Sequence, residues 1–146
     1  MSKSLSCRKN KFNNKNSPYA IRIDGKFASL TFRVLRKQTP PFKSLADAAK
    51  TEEIITVKNV EGTLVGYWFP QYLAGVAVPE FHLHFINKTR TLGGHVLELD
   101  LLSGTLNLEQ IDDLNIYFPK TKGFNHADLS SEKILDNINS AEKSIK

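Results

Sequence analysis

Two stretches decide how this chain reads: Phe81-His82-Leu83-His84-Phe85-Ile86 and, after a loop of Asn, Lys, Thr and Arg residues, Gly93-Gly94-His95-Val96-Leu97. The first alternates apolar and polar residues with the period of a strand, in which side chains at i and i+2 share a face. His82 and His84 therefore project together, while Phe81, Leu83 and Phe85 turn to the opposite side. If the strand after the loop returns antiparallel with His95 across from His82 or His84, its ring joins them at cross-strand distance. Gly93 and Gly94 let the backbone bend or approach closely there. Three neutral imidazoles on one rigid face suit a first-row divalent cation, zinc most commonly, and three protein ligands leave a position open, as catalytic sites do. The bland alternative is a hydrogen-bonded pair of sheet histidines with His95 unrelated. The Gly-Gly-His on the adjoining strand weighs against it. The fourth histidine, His126, lies in a polar loop and reads as surface.

Outward from this centre the chain reads as short strands separated by turns. Residues 19–23 alternate, Asp24-Gly25 is a hairpin dipeptide, and residues 27–36 form the expected returning strand. Pro40-Pro41 punctuates the chain, and Ser44 is a plausible N-cap for a short helix through Leu45, Ala48 and Ala49. Residues 54–60 and 63–69, rich in Val, Ile, Tyr and Trp, flank Glu61-Gly62 as a second hairpin. A loop over 70–79 leads to the histidine strands, which Ser103-Gly104 ends. Two shorter strands are expected over 105–108 and 114–118. From Ser131 the period changes: Ile134, Leu135, Ile138, Ala141 and Ile145 fall on one helical stripe, a terminal amphipathic helix to pack on a sheet. The fold class is therefore α+β, a mixed and mostly antiparallel sheet with a short helix and a C-terminal helix.

The 146 residues suffice for one domain with a core, and 40% hydrophobic residues is an ordinary globular share. The formal charge of +5 is concentrated in Lys3, Arg8, Lys9, Lys11 and Lys15, which leaves fifteen bases against fifteen acids from residue 18 onward. The body is neutral, and residues 1–17 read as a disordered basic tail ahead of a domain over 18–146. A solvated tail is favoured over a nucleic-acid arm. No apolar segment resembles a signal peptide or a membrane span. Cys7 is the sole cysteine, so no internal disulfide forms, and a cytoplasmic setting fits.

One family unites these features. Residues 19–25 (Tyr-Ala-Ile-Arg-Ile-Asp-Gly), then Arg33, Gln38 and Pro41, then residues 62–68 (Gly-Thr-Leu-Val-Gly-Tyr-Trp), then His82, His84 and His95 with Gly93-Gly94, resemble the bacterial α-acetolactate decarboxylases from about Pro18 to Pro119. The resemblance implies a zinc-dependent lyase that converts 2-acetolactate to acetoin and carbon dioxide in acetoin and butanediol formation. It implies His82, His84 and His95 as zinc ligands, Arg33 as the active-site arginine with Arg22 as a structural alternative, and Glu142 as a carboxyl group returning to the metal. It also implies a homodimer with no membrane partner.

The chain departs from that pattern. Members carry a β-rich N-terminal domain with a further glutamate, and here a basic tail stands in its place, as if this were the second half of the enzyme. Glu80 stands where a glycine is usual, and Asn87-Lys88-Thr89 where an acidic pair is common. The His-x-His and Gly-Gly-His arrangement is also similar to the plant and prokaryote conserved domain of some DNA-associated proteins. That alternative is a metal-binding module without catalysis whose basic tail contacts nucleic acid.

Overall fold

The computed structural model describes residues 12–129. Its strands are longer than the turn dipeptides suggest. Asp24-Gly25, Glu61-Gly62 and Ser103-Gly104 all lie inside β-structure rather than at hairpin ends. The strands are β1 (Tyr19–Val34), β2 (Glu53–Phe69), β3 (Glu80–Asn87) and β4 (Gly93–Gln110). Every ladder is antiparallel, and the sheet closes into a barrel in the order β1-β2-β3-β4, with β4 returning to β1. The two expected N-terminal hairpins are thus two single strands, β1 and β2, paired with each other. The strand expected over 105–108 continues β4, and residues 114–118 form no strand.

The physical reason is a row of glycines. Gly25 pairs with Gly62 on one side and with Gly104 on the other. A Cβ on Gly25 would stand 2.5 Å from the Ser103 carbonyl oxygen, and one on Gly104 would stand 2.6 Å from that of Asp24. On Gly62 it would collide with the Ile86 carbonyl oxygen and the Phe85 ring. A small barrel of long strands must bend each strand sharply, and glycine permits the close backbone approach at the bend. Register shifts between β1 and β4 at Lys26/Phe27, Phe27/Ser29 and Thr31/Phe32 add curvature next to it.

Alternation then sorts the side chains. Ile23, Phe27, Leu30, Phe32, Leu64, Leu83 and Val96 fill the barrel and are essentially inaccessible. Each such burial contributes roughly 1.5–3 kcal/mol. Phe85 meets Phe27 edge to face at 5.7 Å and lies 5.9 Å from Phe32. At one end Phe12 stacks on Tyr19 at 4.5 Å and sits 4.8 Å from Trp68. The expectation of a solvated tail through Ser17 therefore fails at Phe12, a single aromatic in a polar run that belongs to the core.

The short helix is present as α1 (Leu45–Ala49), and the Ser44 hydroxyl accepts from the Asp47 N–H at 3.2 Å as expected of its cap. The 70–79 loop contains one 3-10 turn, Gln71–Leu73. A further helix, α2 (Lys122–His126), is capped by Thr121 and was not anticipated from the sequence. The amphipathic helix expected from Ser131 lies outside the described residues.

Candidate metal centre

β3 is the blade that presents the site. Phe81, Leu83 and Phe85 are buried in the barrel, so the alternate residues His82 and His84 face outward. β2 pairs along one edge of β3, Val65 with His84 and Tyr67 with His82. On the other edge only three pairs join β3 to β4, and the first is His84 with His95. The Asn87 side chain fixes that register: its Oδ1 accepts from the backbone N–H groups of Thr91 and Leu92 at 2.9 and 3.0 Å. Its Nδ2 donates to the Thr89 and Thr91 hydroxyls. A local side-chain frame of this kind substitutes for backbone turn bonds and pins the strands that follow. Gly94 lets β4 come against β1, where a Cβ would strike the Arg33 carbonyl oxygen.

The three rings converge. Ring centroids stand 5.3 Å apart for His82 and His84, 4.8 Å for His82 and His95, and 5.3 Å for His84 and His95. One nitrogen from each lies within 4.8 Å of the other two. The Nε2 atoms of His82 and His84 are 3.3 Å apart. Nitrogens about 2.0–2.1 Å from a tetrahedral zinc stand roughly 3.3 Å from each other, so this pair has ligand spacing. His95 Nε2 is buried and has no hydrogen-bond partner among the described residues. A buried polar atom without a partner is costly, and a cation shared with the other two rings would satisfy it. Burial, then the Arg33 charge and the neighbouring rings, push His95 down to about 3. It is therefore neutral near pH 7, the form that ligates a metal.

Arg33 lies near the end of the continuous β1, not on a separate strand returning from an Asp24-Gly25 hairpin, and its cross-strand partner is His95. Its side chain is 11% exposed, and its Nη1 donates to Glu52 Oε2 at 3.4 Å. Glu52 was not among the expected site residues. It is delivered by the turn after α1, where its N–H donates to the Ala49 carbonyl at 3.2 Å, and by the pairing of Val34 with Glu53. Only that tertiary register reveals it. Arg22, the alternative arginine, forms an exposed ion pair with Asp24 at 2.7 Å. His126 is exposed on α2 and its Nδ1 lies 2.8 Å from the Lys122 carbonyl, apart from the triad. Glu142 lies outside the described residues.

An open cleft of about 620 Å³ adjoins the triad, with Ala20, Val65, Tyr67, Phe69, Val78, His82 and His84 in its wall. Imidazoles and apolar side chains share its lining, the mix of polar and apolar groups usual in small-molecule clefts.

Residues 2–131 match the family Alpha-acetolactate decarboxylase. An alpha-acetolactate decarboxylase of Brevibacillus brevis is 41% identical over 120 residues, which span 82% of this chain and 42% of that protein. The crystal structure of alpha-acetolactate decarboxylase from Bacillus subtilis strain 168 superposes with a TM-score of 0.88 at 33% identity, over 97% of this chain and 62% of that one. The chain spans about half the length of the curated relatives it matches. A plant- and prokaryote-conserved protein of Pyrococcus horikoshii shares the fold alone, with a TM-score of 0.52 at 17% identity over 84% of this chain and 80% of that one.

Proposed function

This chain belongs to the alpha-acetolactate decarboxylase family, and on that premise we propose that it bears the metal site of a zinc-dependent lyase converting 2-acetolactate to acetoin and carbon dioxide. The observation that carries the reading is the convergence of His82, His84 and His95 on one outward face, with an orphaned, buried nitrogen on His95. These three residues would hold the ion. Zinc, when bound, supplies Lewis-acid stabilisation of the negative charge that develops on oxygen as carbon dioxide departs.

The remaining work falls to the chain itself. Arg33 holds the substrate carboxylate through its planar donor fork, and its low exposure strengthens that contact by excluding water. Val65, Tyr67 and Val78 receive the methyl groups and keep solvent off one side of the cleft. A proton must then reach one face of the carbon that lost its carboxylate, which fixes the handedness of acetoin. Glu142 is the carboxyl group we assign to that step, on the strength of the family resemblance.

Acetoin formation from racemic 2-acetolactate, followed with and without a chelator, tests the reading. The expected result is chelator-sensitive product and about one zinc per chain, with His95→Ala losing the metal. A chain that takes up zinc at the triad yet forms no acetoin would reduce the proposal to a metal-binding module. Equal, negligible zinc in the parent and in His95→Ala would remove the metal centre altogether.

A further inference from the structure

Among the described ion pairs, three are surface contacts: Arg22–Asp24, Lys50–Asp47 and Lys88–Glu61, with side chains 41% to 75% exposed. Such pairs contribute little. Arg33–Glu52 differs, with its side chains only 11% and 21% exposed. Moving two charges out of water costs more than their attraction usually returns, so a half-buried pair outside the core calls for a role other than stability. Its location supplies one. Arg33 is the cross-strand partner of His95, and its charge is already felt by that ring. A fixed cation there opposes any divalent ion brought to the three imidazoles.

We infer that Glu52 is a positioning and charge-compensating residue of the metal centre: by holding Arg33 and offsetting its charge, it sets the affinity of His82, His84 and His95 for a divalent cation. This rests on the metal reading above and extends it to a residue outside the ligand set. The carboxylate reaches Arg33 because α1 and the turn behind it return the chain to the end of β1.

The test is zinc affinity of the full chain, measured by competition with a chromophoric chelator. Glu52→Gln is expected to weaken zinc binding about tenfold at low ionic strength, and the deficit should shrink as salt screens the one-unit rise in local positive charge. Glu52→Asp, which keeps the charge, should retain most of the affinity. The double variant Arg33→Met/Glu52→Gln should return to near the parent value, because charge and counter-charge leave together. A merely structural role predicts the opposite, a deficit that persists in the double variant and ignores salt. Unchanged affinity in Glu52→Gln overturns the inference while the parent's zinc binding leaves the metal site standing; a parent that binds no zinc overturns both. If Glu52→Gln does not fold, Arg33→Met alone reads the same charge and should bind zinc several-fold tighter. Unchanged affinity there overturns the inference equally.

Discussion

The barrel brings strands together in two places by opposite means. At the row of Gly25, Gly62 and Gly104 the strands touch backbone to backbone, and the absence of side chains is what permits the contact. At His82, His84 and His95 the side chains themselves meet, across a β3–β4 ladder only three pairs long. The first region is intolerant of any added atom and indifferent to chemistry. The second depends on chemistry and is held in place from a distance, by the Asn87 loop on one side and the β1–β2 register on the other. Architecture and function are thus separable, and substitutions in the two regions should fail in different ways.

The largest effect belongs to the glycine row. Gly62→Val drives its Cβ into the Ile86 carbonyl oxygen and the Phe85 ring, neither of which can yield without moving β3 or the core. Overpacking of this kind costs about 3 kcal/mol or more, enough to unfold a marginal domain. Thermal melting should show a collapse of the transition. Gly123→Ala is the control, since nothing lies within 4 Å of the added atom, and its melting point should hardly change. Equal tolerance at both glycines would erase the contrast between the two regions.

How much of this was legible beforehand follows from how local each signal is. The triad could be read because two residues on a period-2 strand and one on its antiparallel neighbour need only short-range geometry, and Ser44 announced α1 through its own hydroxyl. The glycine dipeptides misled because Asp-Gly serves both a tight turn and a strand bend. The choice depends on whether Gly62 and Gly104 lie alongside, which no local window contains. The strand expected over 114–118 fails for a related reason: Ile116, Tyr117 and Phe118 have β-forming side chains but no partner strand among the described residues, and they stand 59% to 88% exposed. Phe12 and Glu52 are single residues whose importance arises wholly from what the fold places beside them.

A smaller effect sharpens the contrast at the histidine end. In the metal-free chain His95 is held at about 3, below the 6.5 of an exposed histidine, so the unfolded chain takes up that proton first as pH falls. Stability from this group is complete above pH 6.5 and drains away as the pH drops toward 3. Denaturant unfolding between pH 7 and 4 with a chelator present should follow that slope, and His95→Phe should flatten it. An unchanged slope in the variant would assign the acid sensitivity to other groups. The glycine variants, by contrast, should shift stability equally at every pH, since no titrating atom is involved.

The smallest effect tests whether the site end is held from α1. Ser44→Ala removes the acceptor for the Asp47 N–H and the 2.7 Å hydrogen bond from its hydroxyl to the Asp47 carboxylate. Loss of an N-cap costs about 1 kcal/mol, a shift of a few degrees in melting. Its second consequence is more informative. Glu52 N–H is anchored to the Ala49 carbonyl in the last turn of that helix, so fraying α1 loosens the carboxylate that faces Arg33. Zinc affinity should therefore fall by a few-fold in Ser44→Ala although Ser44 contacts none of the three histidines. The same substitution made in the Arg33→Met/Glu52→Gln background should lower the melting point without touching the metal. A loss of affinity in both backgrounds would mean that α1 supports the centre through packing rather than through the ion pair.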